Sequence, residues 1–294
     1  MPELPEVAAL AEALDRRLRG RRVASLTVAS VAALKTHDPP AAALAGLEVA
    51  GVGRRGKLLD LELRAPADAS RPGCLHLAVH LARAGWVRWL DAASTARLQQ
   101  RGPLAARLRF EDGTGIDLTE QGTEKRLALY VVREPRDVPA IARLGVDALD
   151  PGLDGDALAE LLRSRPGTLK AAISDQALLA GLGNAYSDEV LHAAGLSPFA
   201  RADRLDGDAV SRLLRSLRET VGSALERARG LEISQLREGR RLGMRVHGRT
   251  GQPCPVCGDT IREVSLASRS FQYCPRCQTG GRVYADRRLS RLLR

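Results

Sequence analysis

No stretch of this 294-residue chain approaches ~18 uninterrupted apolar residues, which excludes a transmembrane helix as an expectation. The N-terminus is acidic and lacks the long apolar run of a secretory leader, so a cytoplasmic location is expected. Internal repeats and long low-complexity tracts are also missing, and nothing in the chain points to a solenoid or a disordered array. What remains is ordinary for a globular protein: 44% apolar and 27% charged residues, in a length that suits two or three domains.

Acidic residues are scarce in one place. From Leu236 to Arg294 there are thirteen arginines and no lysine against four acids, Glu238, Asp259, Glu263 and Asp286. Nearly all of the formal net charge of +10 therefore lies in the last fifth of the chain. Such a segment is the electrostatic footprint of a phosphate-backbone binder, although a solubilising basic tail has the same composition. Four of the five cysteines stand in the same region, as Cys254-Pro-Val-Cys257 and Cys274-Pro-Arg-Cys277 with sixteen residues between the pairs. One pair alone would leave a redox reading open, but two at this spacing are the pattern of one structural zinc ion held by four thiolates. Cys74 lies apart in an apolar run and reads as packing.

Periodicity divides the chain. Residues 5–19 read as an amphipathic helix with Val7, Leu10, Leu14 and Leu18 on one face. Short strands follow at 23–28, 58–63, 74–79, 86–90, 104–110 and 127–132, with Asp112-Gly113 as a hairpin turn between two alternating runs. Six or more strands behind one helix suggest a β-sandwich or barrel-like domain. A Pro- and Asp-rich stretch over 134–154 marks a boundary, and helices are expected over 156–163, 169–180, 185–194 and 206–229. A Gly- and Arg-rich linker, 236–249, leads into the cysteine module.

Three motifs carry chemistry. Met1-Pro2-Glu3-Leu4-Pro5-Glu6 would expose the secondary amine of Pro2 once Met1 is trimmed. An α-amino group titrates near about 7.7–8.0, so a neutral nucleophilic fraction exists at physiological pH and can form an iminium with an electrophilic sugar carbon. Glu3 is placed to act as acid or base and Glu6 to orient it; a frayed terminus with two incidental prolines would look the same. Gly181, Gly183 and Asn184 form a tight turn before a helix, where an N-capping Asn184 leaves amide donors for an anion and Lys170 stands upstream; a purely structural corner is the other reading. Lys57 enters a strand behind Arg54-Arg55-Gly56, a position that usually faces solvent.

Taken in order, Met-Pro-Glu-Leu-Pro-Glu, Arg-Gly-Lys57, Ala-Gly-Leu-Gly-Asn-Ala-Tyr-x-x-Glu189 and Tyr-Cys-Pro-Arg-Cys-Gln resemble the formamidopyrimidine-DNA glycosylase / endonuclease VIII family over nearly the whole chain. The resemblance implies an α+β multidomain fold: an N-terminal catalytic β-sandwich with flanking helices (1–137), a helix–two-turns–helix DNA-binding domain (138–235), a linker and four-cysteine zinc-finger β-hairpin (236–282) and a basic C-terminal tail (283–294). It implies base-excision repair by a DNA glycosylase with AP-lyase activity, acting as a monomer on damaged double-stranded DNA at the nucleoid. Pro2 would attack C1′ of the damaged nucleotide, with Glu3 as acid/base and Glu6 and Glu189 as supporting carboxylates. Lys57 would hold the phosphate beside the lesion and assist β-elimination. Arg269, on the finger hairpin, would hold phosphate and serve δ-elimination. His80, Lys170 and Asn184 would grip backbone phosphates.

The chain departs from the family at the residues that fill the void left by a flipped base. Relatives acting on oxidised purines carry a methionine three residues after the equivalent of His80 and an Arg-Arg-Phe further on; here these positions are Arg83 and Lys125-Arg126-Leu127. Arg83 is expected to stack on or hydrogen-bond the orphaned base and Leu127 to supply an apolar wedge, unless both loops simply contact phosphates. With three Phe, four Tyr and two Trp, few aromatics are left for base stacking, and the preferred lesion stays open. Two other functions compete: a catalytically silent zinc-finger DNA-damage binding protein, against which Pro2, Glu3, Lys57 and Arg269 all speak, and an unrelated zinc-ribbon module, which leaves the N-terminal hexapeptide unexplained.

Overall fold

The computed structural model describes residues 1–66, 73–95, 102–266 and 269–284, and of Leu266 and Arg269 it describes the backbone only. The expected basic tail lies outside the described residues from 285 onward. The chain forms two compact units, Met1–Arg143 with Ala228–Arg237, and Leu144–Arg227 with Glu238–Arg294.

In the first unit, helix α1 (Leu4–Leu18) starts where Pro5 sits in its first turn and a reciprocal cap closes its end: the Glu3 side chain accepts the Glu6 backbone N–H, and Glu6 Oε2 accepts the Glu3 N–H at 2.8 Å. Leu4, Val7, Leu10, Leu14 and Leu18 are fully buried along one stripe. Eight strands follow, β1 (Val23–Val28), β2 (Glu48–Arg55), β3 (Leu58–Arg64), β4 (Cys74–His80), β5 (Gly85–Leu90), β6 (Leu104–Phe110), β7 (Gly115–Glu120) and β8 (Ala128–Val132). They make two four-stranded antiparallel sheets, ordered β1-β6-β7-β5 and β2-β3-β4-β8. Alternation assigns the faces: Leu59, Leu61 and Leu63 are buried and oppose Val79, Leu77 and Leu75, while Asp60 and Glu62 share the other face. The six strands expected from sequence are all present. Strand β2 was not legible, because Gly51 and Gly53 interrupt its alternation and a bulge falls between Val49 and Gly51; its pairing with β3 holds it in the sheet.

The β4–β5 turn has little room. A Cβ at Gly85 would lie 2.1 Å from the Leu81 carbonyl oxygen, and Ala82 already adopts a positive φ of 50°. Gly85→Ala is therefore expected to reshape this turn and destabilise the unit by about 1–3 kcal/mol, read as a lower urea midpoint. The segment Ala228–Arg237 completes the unit: Trp86 donates its indole N–H to the Ile233 carbonyl at 3.0 Å, and Arg229 pairs with Glu12 at 2.7 Å.

A short helix, α2 (Pro139–Ala142), ends the first unit. The second contains β9 (Val146–Asp147), α3 (Gly155–Arg163), α4 (Leu169–Ile173), β10 (Leu179–Ala180), α5 (Asn184–Ala193) and most of α6 (Gly207–Arg229). Helix α4 was expected to continue to Ala180 but stops at Ile173. Ser174 Oγ turns back onto the Lys170 carbonyl at 2.8 Å, and Leu179 and Ala180 pair in parallel with Val146 and Asp147 instead. After a turn of helix, α7 (Leu236–Gly239), come the finger strands β11 (Arg262–Leu266) and β12 (Arg269–Tyr273) and helix α8 (Pro275–Thr279). Four of the nine aromatic residues, Phe199, Phe271, Tyr273 and Tyr284, pack on one another here, Phe199 against Phe271 at 5.4 Å and Tyr284 at 4.2 Å. Among the described residues no helix is long and apolar enough to cross a membrane.

Candidate functional site

In the first unit the N-terminal motif is built into the fold. Pro2, Glu3 and Glu6 are all buried, Glu3 at 2% exposure, so the helix cap holds the two carboxylates in fixed positions. Helix α1 packs on β2 and β3, the strands that flank Lys57. The expectation that Lys57 faces solvent is corrected: it is 7% exposed, following Gly56 in its left-handed turn. The sheet register sets Leu58 opposite His80, which brings Lys57 and His80 together. Burial and then the Lys57 charge push the His80 pKa down, against the pull of Glu120, so its ring is neutral near pH 7.

Arg83, Lys125 and Arg126 are exposed. Leu127 is not. It is 2% exposed, with its Cδ1 3.0 Å from where a Cβ on Gly85 would stand, so the apolar wedge expected from sequence is part of the core instead. The reason is Glu120, a buried carboxylate that sequence reasoning missed. Both its oxygens accept the backbone N–H groups of Arg126 and Leu127 at 2.8–3.1 Å, drawing the chain inward there. An acid closing an alternating strand carried no signal of that role.

In the second unit the glycine turn is braced by Gln176, which accepts the Gly181 N–H at 3.0 Å and donates to the Leu182 carbonyl at 2.6 Å. The helix cap is Gly183, and Asn184 occupies the first helical position, a correction of the expected Asn cap. Asn184 donates to Ser270 Oγ at 3.1 Å, and its Oδ1 has no hydrogen-bond partner among the described residues. Lys170 is corrected from a surface contact to an interior one. At 1% exposure its ammonium bonds Asp188 and the Ser270 carbonyl, each at 2.5 Å, and lies 4.9 Å from the Phe271 ring centre. Asp188 in turn meets His247 Nδ1 at 2.9 Å. Glu189, expected beside the N-terminal amine, accepts the backbone N–H groups of Arg245, Val246 and His247 at 2.7–2.9 Å; burial raises its pKa, and these three bonds work against the rise. Lys170 and Asn184 thus converge on Ser270, next to Arg269, the first residue of β12. Ser270, Asp188 and His247 had no sequence signal, since their roles arise from contacts across many residues of chain.

The four cysteines come together as their spacing implied. Their sulfurs lie within 4.8 Å of one another, with Cys254 and Cys277 at 3.9 Å and Cys257 and Cys274 at 3.3 Å. A tetrahedral zinc with sulfurs at about 2.3 Å needs sulfur–sulfur separations of about 3.8 Å, so this donor set fits the ion. Burial pushes the Cys274 thiol up to about 11 and Cys277 higher, so a divalent cation must displace protons to enter. Val246 and Ile261 pack beneath the cluster. His192, 4% exposed on α5, places Nε2 3.3 Å from Cys254 Sγ; burial and then the Arg245 charge push its pKa down to about 4.

Fold and site define a two-unit α+β protein with a glycine-turn helix pair and a zinc finger holding one structural zinc through four cysteines. Residues 1–125 match the formamidopyrimidine-DNA glycosylase N-terminal domain, 144–235 its H2TH domain, and 251–280 the zinc finger found in FPG and IleRS. The chain is 52% identical over 156 residues to an uncharacterized formamidopyrimidine-DNA glycosylase-like protein of Mycobacterium tuberculosis, an alignment covering 53% of this chain and 98% of that one. It is 33% identical to the formamidopyrimidine-DNA glycosylase of Symbiobacterium thermophilum over 95% of this chain and 89% of the relative. The crystal structure of the Lactococcus lactis formamidopyrimidine-DNA glycosylase, non-covalently bound to DNA containing an AP site, superposes with a TM-score of 0.78 at 25% identity, covering 94% of this chain and 99% of that one. The chain belongs to the formamidopyrimidine-DNA glycosylase family.

Proposed function

We propose that this protein is a monomeric base-excision DNA glycosylase that also nicks the abasic strand. The observation that carries the reading is the N-terminus: Pro2 lies beside two buried carboxylates, Glu3 and Glu6, held by a reciprocal helix cap. Removal of Met1 converts the Pro2 nitrogen into a secondary amine. That amine attacks C1′ of a flipped nucleotide, the C1′–N bond breaks, and the damaged base leaves with a proton supplied through Glu3. The Pro2 N–H proton passes through Glu3 to O4′ as the C1′–O4′ bond breaks, and the open-chain iminium so formed acidifies the C2′ hydrogen, whose loss expels the 3′ phosphate by β-elimination. A second elimination releases the 5′ phosphate, the step in which Arg269 serves. Neutral His80 and the Lys57 cation bind backbone phosphate, and Asn184 binds a second phosphate at its turn. Lys170 acts by holding β12 rather than by touching DNA. Arg83, Lys125 and Arg126 face the opposite strand, so the void is met by cationic and hydrogen-bonding groups in place of an apolar wedge.

The reading is tested by incubating the full zinc-loaded chain, Met1 removed, with a duplex bearing one abasic site and borohydride. A covalent protein–DNA adduct is expected, and it is absent when an uncleaved N-terminal extension blocks Pro2. Salt-sensitive binding with neither adduct nor nick overturns the proposal and leaves a damage-binding protein.

A further inference from the structure

Helix α5 carries a polar stripe. Asn184, Asp188 and His192 are spaced four residues apart and so share one helix face, and Asp188 and His192 are buried with most of the helix. Each reaches the finger module of its own unit. Asn184 donates to Ser270 Oγ at 3.1 Å, Asp188 accepts the Gln272 backbone N–H at 3.2 Å, and His192 Nε2 lies 3.3 Å from Cys254 Sγ. His192 and Cys254 are 4% and 3% exposed, so water does not compete for that contact.

The imidazole tautomer follows from its two nitrogens. Nδ1 is buried and has no hydrogen-bond partner among the described residues. A proton there would leave a buried donor unmade and turn the Nε2 lone pair toward sulfur. A proton on Nε2 leaves the Nδ1 lone pair unpaired instead, but directs the N–H at sulfur and so makes the one hydrogen bond the surroundings offer. Once zinc is bound the sulfur is a thiolate, which has no proton of its own to donate. Four thiolates around one divalent ion also leave an excess of negative charge, which a buried donor stabilises.

We propose that His192 is a positioning residue of the zinc centre: its Nε2–H donates to the Cys254 thiolate, holds that ligand against the ion, and ties the finger to the helix whose first turn presents Asn184. The hydrogen bond delocalises charge from one sulfur of the four, so its loss weakens the metal site without removing a ligand. The proposal concerns the metal centre and stands or falls independently of the chemistry assigned to Pro2.

The test uses the full-length chain loaded with cobalt or zinc, in wild type, His192→Phe and His192→Gln. Phenylalanine fills the space without a donor, and the glutamine amide nitrogen reaches the position of Nε2. In His192→Phe the thiolate-to-cobalt absorption band is expected to shift and zinc transfer to a chromophoric chelator to quicken by about 10–100-fold, with His192→Gln restoring both toward wild type. A band and a transfer rate that do not change in His192→Phe overturn the proposal, because a purely packing role moves neither. If His192→Phe fails to take up one ion per chain, NMR of wild-type zinc-loaded protein with labelled imidazoles decides: a proton on Nε2 supports the assignment, and a proton on Nδ1 overturns it.

Discussion

Glu3→Gln is expected to lower the rate of base excision by about 10²–10⁴-fold while leaving the thermal midpoint within a few degrees of wild type, the range that general acid–base catalysis contributes. The separation of effects comes from the two tasks Glu3 performs. As a cap its side chain accepts the Glu6 N–H, a bond that a glutamine carbonyl preserves, and its backbone N–H donates to Glu6 Oε2 at 2.8 Å, a bond that the substitution does not touch. As a proton donor and acceptor it has no amide substitute. Single-turnover excision and a thermal melt on the same preparation check this. A parallel fall in stability and rate would show that the variant acts through the cap, and an unchanged rate would remove Glu3 from the chemistry.

Stripping the zinc is expected to abolish detectable specific binding to an abasic-site duplex and to open the segment 245–284 to proteolysis, with 1–143 remaining protected. The magnitude rests on the size of what zinc holds. The core directly around the metal ligands consists of Val246, Ile261 and two of the cysteines themselves, with the other two half-buried around it. A cluster that small does not offset the entropy of ordering its chain, and binding of a structural zinc contributes on the order of 10–16 kcal/mol. Loss of order there also removes the partners of Asn184, Lys170 and Glu189, whose hydrogen bonds end on Ser270 and on residues 245–247. Chelation followed by gel-shift titration and mass-mapped proteolysis checks both halves. Retained affinity in the metal-free chain would show that the finger is dispensable for binding.

Residues whose role depends on local spacing were legible before any coordinates. The cysteine pairs announce a thiolate cluster because each pair needs only one tight turn, and their sulfurs do meet within 4.8 Å. The apolar stripe of α1 and the alternation of β3 and β4 appear where periodicity put them, since one buried face repeats every few residues. Legibility failed where distant segments decide a residue's surroundings. Leu127 looked like a wedge until the Glu120 carboxylate took its N–H, and Lys170 looked like a phosphate ligand until Asp188, eighteen residues on, met it in the interior. Helix α4 gave up its last turns to a two-residue parallel strand that nothing nearby encodes.

By itself, then, the sequence determined the strongly periodic elements, the metal ligands and the family, all of which rest on short-range spacing and on motifs that read along the chain. Only the tertiary structure decided which polar groups face solvent and which are spent inside. A buried charge or carboxylate persists only where long-range folding delivers a partner, as Glu120 receives backbone N–H groups, Lys170 receives Asp188 and the Cys254 sulfur receives His192.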